Sequence, residues 1–311
     1  MLVAVSALLA LLLGGCNKLV SPIPASRTST DYGGVWGTSA SDVYAVGLIR
    51  NDTGWNGRIL HYDGRRWSAV DTDSRSYLTA IWGPSATEQF MVGFALYDRG
   101  TVLQRKYGGE RWNTMTVFAG VELFGVWGTS ATDVFAVGSR RLGSGGAILH
   151  FDGSSWTTQN DTADVRRVWG SSGDQVFAVG SGIWRYDGDH WTQVKRSPYL
   201  IGVWGSSGSD VFAVGGSGEI LHYDGNQWTP QASGATTILS GVWGTSWNDV
   251  FAVGYDGTIL HYDGNTWSAQ PSGTQKDLQG VWGSSGSDVY AVGYEGTFLH
   301  YDGSAWRAVR L

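Results

Sequence analysis

Five histidines of this 311-residue chain stand in one recurring context. His61, His150, His222, His261 and His300 are each followed by an aromatic residue, by Asp-Gly and, six positions after the histidine, by a tryptophan. An imidazole near a carboxylate is the raw material of general acid–base catalysis, because its charge changes close to neutral pH. It is also a metal ligand, but zinc needs its ligands within about 2.0–2.3 Å of one ion. The elements that carry the five histidines decide whether they can meet.

Those elements are copies of one unit. Aligned on the tryptophan of "VWG" or "IWG", the copies start around Trp36, Trp82, Trp127, Trp169, Trp204, Trp243 and Trp282, at spacings of 46, 45, 42, 35, 39 and 39 residues. A second tryptophan follows in each, at Trp67, Trp112, Trp156, Trp191, Trp228, Trp267 and Trp306, closing "YDGxxW" or "FDGxxW" in six copies and "YGGERW" in the second. Repeats near 40 residues built of short strands predict a β-propeller. In the last copy, "LQGVWGS" reads as strand A, "DVYAVGY" as strand B, "TFLHYD" as strand C and the stretch around Trp306 as strand D. Asp302-Gly303 supplies the hairpin signal between C and D. The expected fold is therefore all-β: a seven-bladed β-propeller over 31–311, four antiparallel strands per blade. The first copy has its own strand A near Gly33 and the last its own strand D at Arg310, so the ends should close by face packing, unless 19–23 adds an edge strand.

A ring spreads the histidines apart, so they cannot share one ion. They are expected to serve hydrogen-bond networks inside each blade, with the aspartate that opens strand B (Asp249, Asp288) or the serine after "WG". Fourteen of the seventeen tryptophans occupy the repeated positions and should fill the space between sheets, since each ring buries about 150–250 Å². The glycine after each first tryptophan, like those of the hairpins, is expected to free the backbone at turns. The aspartate of "YDG" (Asp224, Asp263, Asp302) should cap its hairpin. No calcium-loop spacing occurs, and no cofactor is expected.

The pattern resembles bacterial propellers with short repeats ending in "DGxxW", related to BNR and YCF48-like repeats and more loosely to tectonin-type lectins. The resemblance covers 31–311. It departs from the BNR Asp-box, which has one residue between its Asp and Gly, whereas Asp263 and Gly264 are adjacent here. The histidine network resembles the His, Ser, Trp and Asp set of WD-repeat proteins.

Ahead of the repeats, an apolar run at 2–13 is followed by two glycines and Cys16, the one cysteine of the chain. Such a run suits a signal-peptide core and falls short of the roughly 20 residues that span a membrane. "LGGC" at 13–16 resembles a bacterial lipobox. The resemblance implies a signal peptide over 1–15, acyl chains such as palmitate on Cys16 and a Pro-containing tether over 16–30. The implied location is the bacterial cell envelope, with the lipids holding the chain on the outer membrane or cell surface. The net charge of −6 excludes the basic footprint of a nucleic-acid binder.

Function is sought where copies disagree. The B–C connections of copies 1 to 3 are enlarged and carry Arg50, Trp55, Arg58, Tyr97, Arg99, Arg140 and Arg141, which should form a wall on one sector of the top face. The strand A position held by Gly34, Ala80, Gly125, Gly202, Gly241 and Gly280 is Arg167 in copy 4. Strand A lines the central channel, so Arg167 and Arg166 should lie at its mouth. Copy 4 also has Trp184 and Arg185 in place of "LH". Charge follows the division, with 16 Lys/Arg against 17 Asp/Glu over 31–196 and 3 against 10 over 197–311. Exposed Arg with Trp and Tyr is the composition of binding hot spots. The leading expectation is a membrane-anchored, non-enzymatic, monomeric binding module that offers one face to a protein or envelope polymer. A carbohydrate-binding propeller with sites repeated between blades is the alternative. A glycosidase or lyase would need a carboxylate pair, for which Glu122 and Asp164 are the residues to watch.

Overall fold

Each repeat folds as one sheet of four antiparallel strands. The computed structural model describes residues 28–311 apart from 53, 73, 96–98, 106–111, 141–144 and 198, with the backbone alone at 99 and 103–105. The blades span 29–70, 77–119, 122–160, 165–195, 200–231, 239–269 and 278–308. In blade 6 the strands are Leu239–Ser246 (A), Asp249–Gly254 (B), Ile259–Tyr262 (C) and Trp267–Ala269 (D). Every strand A lies against that of the next blade, and that of blade 7 against that of blade 1. The architecture is the expected seven-bladed β-propeller.

Strand B reads as a continuous apolar run because it is covered on both faces. Val250, Phe251, Ala252 and Val253 are all buried. The B–C turns of blades 5 to 7 need two consecutive residues in the left-handed region, met by Ser217-Gly218, Asp256-Gly257 and Glu295-Gly296, with φ of 56° and 68° at the middle pair. Tight hairpins require that pairing of conformations. In the C–D turn, Asp263 Oδ1 accepts the N–H groups of Asn265 and Thr266 at 2.8 Å, as expected of a hairpin cap.

The glycine after each first tryptophan has a different job from the expected one. It does not serve a turn; it makes room. A Cβ on Gly37 would stand 2.7 Å from the tip of the Trp282 ring, and one on Gly205 would stand 2.7 Å from Trp169. The first tryptophan of each such blade thus lies over the glycine of the next. The second tryptophan stacks on the tyrosine of its own "YDG" and turns its edge to the strand B aromatic of the preceding blade, as Trp267 does with Tyr262 (5.1 Å) and Phe212 (6.0 Å). Such pairs contribute about 0.5–1.5 kcal/mol beyond area burial.

The same contacts close the ring. Trp67 of blade 1 meets Tyr290 and Phe298 of blade 7 at 5.7 and 4.6 Å. Asp31 Oδ1 accepts the Glu295 N–H at 3.0 Å, and the Thr30 carbonyl accepts that of Gly296 at 2.6 Å. Blades 1 and 7 each use four strands of their own; the segment 19–23 lies outside the described residues.

The histidines do what their repetition suggested. Nε2 of His61, His150, His222, His261 and His300 donates to Oδ1 of Asp42, Asp133, Asp210, Asp249 and Asp288 at 2.8, 2.7, 2.6, 2.7 and 2.6 Å. The other oxygen of each aspartate accepts from Thr38, Thr129, Ser206, Thr245 or Ser284, the hydroxyl after "WG". Each imidazole also stacks on the strand B aromatic, for example on Phe251 at 4.4 Å. Burial opposes the Asp210 carboxylate, but the donors His222 and Ser206 outweigh it and hold the carboxyl below its ordinary range. No group of three or more metal-ligating side chains occurs among the described residues.

Candidate functional site

Three sequence positions per blade vary while everything around them repeats. One is the residue before the channel glycine: Gly33, Thr79, Phe124, Arg166, Ile201, Ser240 and Gln279. Another lies two places earlier: Asp31, Tyr77, Glu122, Asp164, Tyr199, Ile238 and Asp277. The third follows the "VG" of strand B: Leu48, Phe94, Ser139, Ser181, Gly216, Tyr255 and Tyr294. The ring brings these columns to one end of the channel, where the whole first column, Tyr77 and Tyr199 of the second, and Phe94, Tyr255 and Tyr294 of the third line a cavity of about 190 Å³. A second space of about 150 Å³ continues inward between the A strands, and Arg167 lines both.

The cavity has a cationic and an aromatic side. Arg167 Nη1 donates to the carbonyls of Phe124 (2.6 Å) and Arg166 (3.1 Å), which fixes its guanidinium against the wall. Burial pulls its pKa down to about 10, so it is still charged at neutral pH. The guanidinium of Arg166 lies 4.6 Å over the Phe124 ring, a cation–π contact. From there an aromatic arc runs around the mouth. Phe124 meets Phe94 edge-on at 5.6 Å and Phe94 meets Tyr77 at 5.7 Å. Tyr77 and Tyr294 then face the cavity on either side of Gly33 of the intervening blade. Gln279 stands beside Tyr255, with its Nε2 buried and unsatisfied among the described residues. Burial pushes the phenols of Tyr77, Tyr255 and Tyr294 up, so they act as neutral O–H groups. Thr79 and Ser240 are occupied, donating to the carbonyls of Leu123 and Leu278 in the next blade.

No carboxylate and no histidine lines this cavity. It offers two guanidiniums, phenol hydroxyls and ring faces, a set suited to anionic groups, carbonyls and apolar side chains. Neither Glu122 nor Asp164 is part of the lining.

The expected site residues fall into separate groups. Arg166 and Arg167 lie at the channel mouth as anticipated. Arg50, Trp55 and Arg58 belong to a tall hairpin of blade 1, with strands Asp42–Asn51 and Gly54–Tyr62, rather than to a loop. There Arg50 pairs with Asp31 at 3.4 Å, and Arg58 lies near the Tyr32 phenol with its own Nε buried and unsatisfied. Arg140 is exposed and, like those three, does not line the channel cavity. Arg99 opens a strand, Arg99–Arg105, of which only the backbone is described at that residue, and Tyr97, Arg141 and Cys16 lie outside the described residues. Trp184 and Arg185 are corrections to the expected grouping. Trp184 takes the place of a core leucine and packs at the seam of blades 3 and 4, because the register points it at the neighbouring sheet. Arg185 takes the histidine place and lies over Phe177 at 5.9 Å, away from the channel.

Tyr77, Phe94, Phe124, Tyr199, Tyr255, Tyr294 and Gln279 complete the mouth and were not singled out from the sequence. Their signal was column-wise variation between copies.

Comparison with protein-family models and with curated proteins yields no match for this sequence. Among solved structures, YCF48 from Cyanidioschyzon merolae is similar with a TM-score of 0.67 and 14% identity, over 90% of this chain and 97% of that one. A structure of YCF48 bound to D1 peptide gives 0.67 and 16%, over 88% and 94%. The WD40 propeller domain of Doa1 gives 0.67 and 11%, over 88% and 95%. At these identities the likeness is one of fold, and the fold shared by all three is the β-propeller.

Proposed function

We propose that this chain is a non-enzymatic, peptide-binding propeller that grips a segment of a partner protein at the channel mouth. The observation that carries the reading is the contrast within the repeats: positions that vary between blades, together with Arg167 in the channel-glycine place, give the cavity two guanidiniums and an aromatic arc, while the acidic members Asp31, Glu122, Asp164 and Asp277 stay out of its lining. Unpaired cationic and aromatic surface at the axis is what an anionic or backbone-rich segment would recognise. That one structurally similar propeller is described as bound to a peptide agrees with this reading.

The test is selection of displayed peptides on the full chain, followed by calorimetry. Selected peptides should bind wild type with one site and weaken at least tenfold on the paired change Arg166→Ala and Phe124→Ala, with the unfolding midpoint retained. Equal affinity for the variant would overturn the assignment.

The proposal includes an anchor. Acylation at Cys16 would place the propeller on a cell-envelope membrane as a monomer, with the 16–30 segment as tether. Detergent-phase partitioning tests this: wild type should enter the detergent phase and Cys16→Ser the aqueous phase, and aqueous wild type would defeat the anchor.

A further inference from the structure

The seams between blades are sealed by a second device besides the stacked rings. Three residues after the second tryptophan, blades 3, 5 and 6 carry a glutamine whose Oε1 accepts the indole N–H of the next blade: Trp191 to Gln159 at 2.8 Å, Trp267 to Gln231 and Trp306 to Gln270 at 2.7 Å. At the seam of blades 4 and 5 the glutamine is replaced by Val194, which is 45% exposed. The Trp228 indole hydrogen-bonds to none of the described residues. The seams of blades 1 and 2 and of blades 7 and 1 also have a valine, Val70 and Val309, but Trp112 is buried and packs with Val70, and Phe298 stands where five blades have isoleucine and packs on Trp67 at 4.6 Å. Blade 4 has the ordinary isoleucine, Ile183. A cleft of about 400 Å³ opens in consequence on the outer rim.

Blade 4 has also lost its Asp–His pair. Arg185 stands in the histidine place and Gln175 in the aspartate place, where Gln175 Oε1 accepts from Ser171 at 3.2 Å. Arg185 is half-buried, and its side chain makes neither an ion pair nor a hydrogen bond with any described residue; its Nε is buried and unsatisfied. Lys195 shares the lining, which holds no carboxylate. The nearby Asp224 is occupied, accepting the N–H groups of Asn226 and Gln227 at 2.9 and 2.8 Å, and so presents those two amide side chains at the rim of the cleft. Trp228, stacked on Tyr223 at 5.2 Å and edge-on to Phe177 at 5.9 Å, is half-buried and forms one wall.

We propose that this cleft is a single binding site for a carboxylated sugar of the hexuronate class. A desolvated guanidinium with an open fork calls for a planar two-oxygen anion. The lysine adds a point charge, the two amides suit ring hydroxyls, and the indole offers a flat apolar wall to a ring. The volume is that of a small-molecule pocket, which favours a saccharide over a protein segment. The site is independent of the channel mouth and occurs once among the described residues, where the lectin-type alternative expects carbohydrate sites repeated between blades.

Calorimetric titration of the full chain with glucuronate and with a short oligouronate tests the proposal, against glucose, inorganic phosphate and an acidic peptide as competitors. One uronate site per chain is expected, at least tenfold tighter than for glucose. Arg185→Gln should abolish it, and Lys195→Gln, which leaves the stacked ring contacts in place, should weaken it several-fold. The paired Arg166→Ala and Phe124→Ala change should leave it untouched, which separates this site from the peptide reading. The proposal falls if no saturable uronate binding is found, if glucose binds equally well, if Lys195→Gln and Arg185→Gln both bind as wild type, or if phosphate or the acidic peptide binds in preference.

Discussion

Blades 4 and 6 put different side chains on the same backbone. In blade 6, His261 is held between the Phe251 ring at 4.4 Å and the Asp249 carboxylate at 2.7 Å, and Trp267 is latched to Gln231 of the blade before. In blade 4, Arg185 lies over Phe177 at 5.9 Å with no carboxylate to meet, and Val194 offers the next tryptophan no acceptor. Blade 4 has lost both members of the pair, the imidazole to Arg185 and the carboxylate to Gln175. A position that serves folding in five blades is thereby released from that service in blade 4, as it is in blade 2, where Gln104 holds the histidine place. The lesson is that a repeat protein can gain a site by failing to complete its own framework at one seam.

The comparison can be broken most severely at the glycines under the tryptophans. Gly244→Val would place a Cβ 2.9 Å from the Trp204 ring tip. The expected loss is about 1–3 kcal/mol or more, as in other overpacked cores, read as a lowered denaturation midpoint. Next in size, His261→Ala should cost about 1–3 kcal/mol, because Asp249 loses a donor in a partly buried place. Arg185→Ala should stay within about 0.5 kcal/mol. Equal losses in the two would show that blade 4 relies on its arginine as blade 6 relies on its histidine.

Acid sharpens the comparison through the hairpin aspartates, which are alike in both kinds of blade. The Ser154 hydroxyl and the Ser155 and Ser154 N–H groups hold the Asp152 carboxyl down to about 2, and N–H donors likewise lower Asp187 in blade 4 and Asp263 in blade 6. Each folded pKa lies below the unfolded value of about 3.9. Their contribution is therefore present above about pH 4 and lost as pH falls toward about 2. Asp152→Asn should flatten the stability curve in that window, measured by denaturant titration at stepped pH. The smallest effect on stability is expected for Tyr199→Ala at the channel mouth. That side chain is 45% exposed, so the midpoint should move by less than about 0.5 kcal/mol while peptide capture weakens.

Much of the framework was legible because its contacts are local. The histidine and its aspartate are 12 to 19 residues apart within one copy, and the hairpin aspartate caps donors two and three residues on. The role of the glycine of "WG" differs from the expected one because the ring it accommodates belongs to the previous blade, outside its own copy. Arg167 was found because it breaks an otherwise small-residue column. Its neighbours Phe124, Tyr77 and Tyr294 were not found, since each looks ordinary in its own copy.

The sequence by itself determined the period, the four-strand blade, the number of blades and the demotion of the histidines to structure, since repetition and short-range pairing need no knowledge of neighbours. Only the tertiary structure decided which variable residues meet. Closing the ring carries seven distant segments to one axis, and seating one blade on the next determines which tryptophan finds a glutamine and which faces an open cleft.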